Sequence, residues 1–169
     1  MIPSLETERL TLRGPTLADF ADSAAMWGDP RVTRYLAAHP FTEEDVWARL
    51  HRYVGHWALL GFGLWVVRDK TGRFVGEVGF LDFKRAIEPK LDAPEMGWVL
   101  AAQGHGKGYA TEALRAAIAW GEAHFGHGRF VAIIDPDNAA SVRLGEKLGF
   151  REEARTLYKS EPTVIYRRG

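Results

Sequence analysis

The chain has 169 residues, with 22 Lys and Arg set against 22 Asp and Glu and no cysteine. That length fits one domain with a substantial core, and we expect a single domain over residues 1–169. Zero net charge argues against a nucleic-acid partner, the lack of cysteine excludes disulfides, thiolate metal sites and a cysteinyl acyl intermediate, and with no long apolar run or signal pattern the expectation is a soluble, cytoplasmic protein without a membrane partner.

In chain order, Thr7 to Arg13 alternates Leu10 and Leu12 with polar residues and predicts a half-buried strand. Thr16 is the expected N-cap of a first helix, with Asp19 at capping-box spacing and an apolar stripe of Leu17, Phe20, Ala21, Ala24 and Trp27. Gly28-Asp29-Pro30 breaks it, and residues 29–40 carry no clear pattern. A second helix opens at Thr42, with Asp45 completing a capping box and Phe41 and Val46 forming a staple. Its stripe is Val46, Leu50, Tyr53, Val54 and Trp57, and Gly61 and Gly63 close it. A hairpin follows, Leu64 to Arg68 and Phe74 to Asp82, turning at 69–72; residues 83–93 read as loop.

Residues 95–120 form the centre of the pattern. Glu-Met-Gly-Trp-Val-Leu is a short buried strand, the fourth in sequence. Ala110, Ala113, Leu114, Ala117, Ile118 and Gly121 then make the sheet-facing stripe of a third helix. Between them Gly104, Gly106 and Gly108 allow a sharp loop that opens onto a helix N-terminus. There, unpaired N–H groups and the positive end of the helix dipole favour an anion. Lys107 adds a mobile positive charge. The expected function is a phosphate cradle; the alternative is a glycine-rich turn between core elements. A dinucleotide fingerprint starting at Gly104 fails because Tyr109 stands where it needs glycine, and a Walker A loop fails at Ala101 and Gly108. Arg129 to Ile134 is a fifth strand, Asn138 the N-cap of a helix over Ala139 to Leu148 stopped by Gly149, and Arg151–Leu157 and Thr163–Arg168 are closing strands. The order is β-α-α-β-β-β-α-β-α-β-β, an α/β (α+β) fold in which the fourth and fifth strands are parallel and the hairpin pairs antiparallel.

Gln103-Gly104-His105-Gly106-Lys107-Gly108 resembles the Q/R-x-x-G-x-G/A signature of the GNAT N-acetyltransferases. Glu8-Arg9-Leu10-Thr11-Leu12-Arg13, Asn138-Ala139-Ala140-Ser141 and Glu146-Lys147-Leu148-Gly149-Phe150 resemble the branch related to ribosomal-protein N-terminal (alanine) acetyltransferases. The element order is also that of the GNAT fold, so the resemblance covers nearly the whole chain. It implies a mixed, mostly antiparallel sheet splayed between its fourth and fifth strands. It implies acetyl-coenzyme A as cosubstrate, with its pantetheine arm guided by Trp98, Val99 and Leu100 and its pyrophosphate held by Gln103, Gly104, His105, Gly106, Lys107, Gly108, Tyr109, Ala110 and Thr111. Asn138, by its residue type an N-cap, gains a pantetheine contact by the resemblance. Ser141 is the candidate to protonate the departing thiolate, against the plainer reading of a solvent-facing helix serine.

An amine acceptor must lose a proton, and the candidate bases are Glu95, which the branch carries at the start of this strand, and Glu77 in the apolar run Val75 to Phe80. The expected function is direct transfer of acetyl to a primary amine, a protein N-terminus or a small molecule, by a monomer or homodimer. Trp27, Tyr35 and the 83–93 loop are the expected acceptor wall. A non-catalytic acyl-coenzyme A sensor is the alternative, and a nucleotide module is disfavoured by the failed phosphate patterns. No metal is expected, since His51 and His56, and likewise His124 and His127, lack ligand-compatible spacing or a carboxylate nearby.

Overall fold

The computed structural model describes residues 1–169. Eight strands form one sheet in the order β1-β2-β3-β4-β5-β6-β8-β7. Their spans are β1 Leu5–Glu6, β2 Leu10–Arg13, β3 Leu64–Asp69, β4 Phe74–Leu81, β5 Glu95–Leu100, β6 Phe130–Ile134, β7 Arg151–Tyr158 and β8 Glu161–Arg168. Neighbours are antiparallel except β5 and β6, which are parallel. The helices are α1 Phe20–Trp27, α2 Pro30–Thr33, α3 Glu43–Leu60, α4 Tyr109–Phe125 and α5 Ala139–Lys147. This is the mixed, mostly antiparallel architecture that the sequence implies.

The local signals act as their chemistry dictates. Thr42 accepts from Asp45 N–H at 3.2 Å while the Asp45 carboxylate accepts from Thr42 N–H at 2.9 Å, so the capping box of α3 is closed. Phe41 packs on the cluster that holds Val46. Gly61 ends α3 in the left-handed region at φ 74°.

Several details depart from the sequence reading. The expected strand at Thr7 to Arg13 is a small hairpin, because Thr7 bonds Leu10 through both backbone and hydroxyl and turns the chain between β1 and β2. Residues 29–40 hold the short helix α2, capped by the Asp29 carboxylate on Arg31 N–H at 2.9 Å with Pro30 at its first position. The dipeptide that stops α1 thus starts α2. Thr16 and Asp19 form the expected box, but on a 3-10 turn over 17–19 that leaves Leu17 exposed rather than in the stripe. Val54 likewise faces solvent.

Two apolar layers enclose the sheet. Trp65, Val67, Val78, Phe80 and Met96 pack with Ala113, Leu114, Ala117 and Ile118 of α4. Val66 and Phe74 pack with Met26, Trp27 and Val46 of α1 and α3. Since Val66 lies between Trp65 and Val67, and alternate strand residues point to opposite faces, these layers lie on opposite faces. No helix is long and apolar enough to cross a membrane.

Candidate active site

The chain leaves β5 through a 3-10 turn at Ala102–Gly104 and enters α4 at Tyr109. Gly106 and Gly108 sit at φ 73° and 76°, where an L side chain is strained. From Gly106 through Thr111 no backbone N–H finds an acceptor in the protein; the first to do so is Glu112, which donates to Gly108 at 3.1 Å. The Thr111 hydroxyl also has no partner, and Lys107 is exposed. A run of free donors at a helix N-terminus fits a diphosphate. At the start of the sequence-predicted cradle two N–H groups are used within the protein. Gly104 N–H donates to Ala101 at 2.8 Å and His105 N–H to Ala102 at 3.2 Å, since the 3-10 turn uses both. The His105 ring reaches back, its Nε2 donating to the Leu100 carbonyl at 3.0 Å, and Gln103 is exposed beside the turn.

Arg9, missed as a site residue by sequence reasoning, holds this loop from outside. It donates to the Lys107 carbonyl at 2.8 Å and to the Glu112 carboxylate at 2.6 Å, and it stacks over the Tyr109 ring at 4.8 Å. Glu112 in turn accepts from the Thr7 hydroxyl at 2.7 Å. Nothing local links Arg9 to a loop a hundred residues on; only the fold brings them together.

Below the loop, β5 and β6 share one bridge, Glu95 with Val131, marked by Val131 N–H donating to Pro94 at 3.1 Å. Beyond it they part, which is the expected splay. The alternation that turns Pro94 toward β6 also turns Met96, Trp98 and Leu100 toward it, so the backbone of Trp98 and Leu100 faces the gap without a partner on β6. Val99 is turned the other way. Its backbone turns to Glu77 on β4, and its side chain packs with α1 and α3. Ala110 lies in the first turn of α4 and contributes its free N–H.

On the α5 side, Asn138 caps the helix, its carbonyl oxygen accepting from Ser141 N–H at 3.2 Å. The Ser141 hydroxyl accepts from the Trp98 indole at 3.2 Å. That bond fixes the oxygen beside the gap and leaves its hydrogen available for donation.

The carboxylates lie on the opposite, α1/α3 face, and neither is free. Glu95 is held by Arg85 through both oxygens, at 2.7 and 2.9 Å, and Arg85 also donates to Tyr158 at 3.2 Å. Glu95, the sequence candidate for the base, thus stands in a two-point ion pair with the half-buried Arg85. Glu77 is only 2 % exposed and accepts from Ser23 at 2.8 Å, Trp27 at 3.0 Å and Tyr53 at 3.0 Å. Burial pushes its carboxyl above the usual range, against the hydrogen bonds of Ser23 and Trp27 and the charge of Arg49. Its direction suits a base, but its enclosure does not. A depression of about 640 Å³ opens where the splay closes, lined by Leu81, Phe83, Arg85, Leu91, Pro94 and Glu95. Residues 83–85 and 90–93 of the loop line it, whereas Trp27 is buried against Glu77 and Tyr35 pairs with Arg34. No group of His, Asp and Glu is placed to hold a metal ion.

These features define a fold with a splayed sheet and a loop of unpartnered N–H groups at its mouth. Residues 9–151 match the family model described as Acetyltransferase (GNAT) domain. The N-acetyltransferase p20 of Bacillus licheniformis, itself uncharacterized, is 30% identical over 152 residues, 89% of this chain and 83% of that protein. The crystal structure of an acetyltransferase from Agrobacterium tumefaciens superposes with a TM-score of 0.85 at 26% identity, covering 100% of this chain and 95% of that one. A ribosomal-protein-S5-alanine acetyltransferase from Vibrio fischeri shares the fold at 23% identity and a TM-score of 0.76, over 98% and 96% of the two chains. The chain belongs to the GNAT acetyltransferase family.

Proposed function

We propose that the protein acts as one domain that transfers acetyl from acetyl-coenzyme A to a primary amine, by direct attack within a ternary complex. The observation that carries this reading is the run of unpartnered N–H groups from Gly106 to Thr111, standing at the mouth of the splay between β5 and β6. The cosubstrate supplies an activated thioester. The loop binds its diphosphate through backbone, with Lys107 and the Thr111 hydroxyl adding charge and a donor. The exposed edge of Trp98 and Leu100 aligns the pantetheine amides, and a strand N–H there polarises the thioester carbonyl.

As the amine nitrogen bonds the carbonyl carbon and the C–S bond breaks, Ser141 donates its hydrogen to the departing sulfur. Trp98 holds the Ser141 oxygen in place for this. The amine proton leaves to water, because Glu95 is committed to Arg85 and Glu77 to its own donors. A fraction of the amine is already neutral near pH 7, since an α-amine has a reference pKa of about 8. The alternative of an acyl-coenzyme A sensor finds no support in the family match or the relatives.

The test combines calorimetry of coenzyme A binding with acetyl-coenzyme A consumption on a panel of amines and N-terminal peptides. Binding with turnover of one amine class is the expected result. Absence of coenzyme A binding would overturn the cosubstrate, and binding without turnover of any amine would overturn the transfer.

A further inference from the structure

The acceptor-side wall carries more cationic charge than its own carboxylates absorb. Arg85 is matched by Glu95. Arg49 places its charge beside Glu77 through Tyr53, and Arg52 is left unmatched. Arg52 has neither a hydrogen bond nor an ion pair, and its guanidinium lies over the Phe83 ring at 4.1 Å, a ring that Arg85 also approaches at 5.5 Å. Arg49 makes one hydrogen bond, to the Tyr53 hydroxyl at 3.0 Å, while its buried Nε has no partner at all. Its guanidinium is held over Trp27 at 4.2 Å and Phe41 at 4.9 Å. The cations feel one another: burial depresses Arg52, and the charges of Arg49 and Arg85 depress it further. Nearby, Lys84 is spoken for by Asp82 at 2.8 Å.

Arg49 is half-buried, whereas Arg52 is exposed and rests its plane on Phe83, which leaves its N–H donors open to an incoming anion. Their placement indicates what completes them. Arg49 bonds Tyr53, Tyr53 bonds Glu77, and Glu77 stands opposite Val99, next to the Trp98 and Leu100 backbone that faces the splay. Arg52 borders the 83–93 loop that walls the depression at the closed end of the splay. An acceptor amine reaching that end would have its other end beside these cations.

We propose, resting on the acetyl-transfer reading above, that the acceptor is an amine carrying an anionic group of the carboxylate type, held by Arg52 and Arg49. A planar guanidinium fork matches a carboxylate in two parallel hydrogen bonds. The same cations repel a second ammonium, so polyamines are poor acceptors.

The experiment measures kcat/KM of the full chain with acetyl-coenzyme A for standard L-amino acids, their carboxamides and spermidine. Wild type prefers the acid over its amide by about 10- to 100-fold, the scale of a hydrogen bond to a charged group. In Arg52→Gln that ratio falls toward one, mainly through KM, and Arg52→Lys recovers part of it. Amides or spermidine used as well as acids, or a ratio unchanged in Arg52→Gln, would overturn the anionic acceptor while leaving acetyl transfer intact. If coenzyme A binds but no amine turns over, acetyl transfer itself fails. The anion site is then read by NMR on N-acetylglycine against N-acetylglycinamide, with coenzyme A present. Selective binding of the acid that Arg52→Gln abolishes supports the site, and equal or absent binding overturns it.

Discussion

The two ends of the splay are built from different materials. At the open end the free polar groups are backbone N–H groups of Gly106 to Thr111, with few side chains committed. Along the α1/α3 face, from the level of Val99 down to the closing bridge, they are side chains locked to one another: Glu77 with Ser23, Trp27 and Tyr53, and Glu95 with Arg85, which also holds Tyr158. The first arrangement suits a ligand part that never changes, since backbone donors vary little with sequence. The second is altered by any single substitution, and suits the partner that distinguishes one enzyme from another. Substitutions in the loop should therefore change ligand binding without changing stability, while those among the locked side chains should change stability and its pH dependence.

Ser141→Ala, between the two ends, gives the largest expected effect. Turnover falls on the order of 100-fold or more, because the lost proton donor acts as charge develops on sulfur. Coenzyme A affinity stays near wild type in calorimetry. Equal turnover would reduce Ser141 to a partner of Trp98. Gly106→Val comes next. A branched residue at φ 73° costs roughly 1–3 kcal/mol of strain, directed at the loop, so coenzyme A affinity falls by roughly 10- to 100-fold while the melting temperature moves little. A collapsed fold instead would erase the contrast between the two ends.

The carboxylates buried beside α1 are probed by acid. Asp19 is fully buried, and burial alone would raise its carboxyl, but hydrogen bonds from Arg13, Arg68 and Thr16 N–H bring it down from 3.8 to about 2. The folded value lies below the unfolded one, so this stabilisation is complete above pH 3.8 and lost as pH falls toward 2. It amounts to about 2 kcal/mol, readable as a loss in urea-unfolding free energy that Asp19→Asn does not show. Glu77 has the opposite sign. Its folded value is raised above 4.5, so its contribution is present below that pH and lost as pH rises through the raised value. The stability of wild type relative to Glu77→Gln should thus decline as pH is raised from 4.5, and a flat difference would mean the carboxylate is not desolvated. The smallest effect belongs to Arg9→Ala. Its pair with Glu112 is half exposed and contributes up to about 1 kcal/mol, so coenzyme A affinity drops a few-fold at most as the loop loosens.

Features that reside in a few adjacent residues were legible in the sequence. The glycines of the loop, the Thr42–Asp45 box and the Asn138 cap are local rules, and each stands where the spacing placed it. Asp29-Pro30 was equally local but ambiguous, since the same residues end one helix and cap another. The partners of Arg9, Glu77 and Glu95 were not legible. Each lies on a separate element: Arg9 on the turn before β2 against α4, Glu77 on β4 against α1 and α3, and Glu95 on β5 against the 83–93 loop. A carboxylate in a strand announces itself in sequence, but whether it is a base or half of an ion pair depends on an arginine whose position only tertiary packing sets.

The single bridge between β5 and β6 also divides the chain into two pieces that meet through an apolar seam bordered by a few polar contacts, among them Trp98 with Ser141 and Arg168 with Glu122. Residues 1–125 hold β1–β5 and α4, and residues 130–169 hold β6–β8 and α5. Phe130 packs on Phe80 with centroids 4.8 Å apart, and Phe150 on Trp98 at 6.4 Å. The connection runs through Gly126 and His127, both exposed. An apolar seam needs no strand register to be re-threaded, so a backbone cut at this turn should leave two fragments that find each other again in dilute solution.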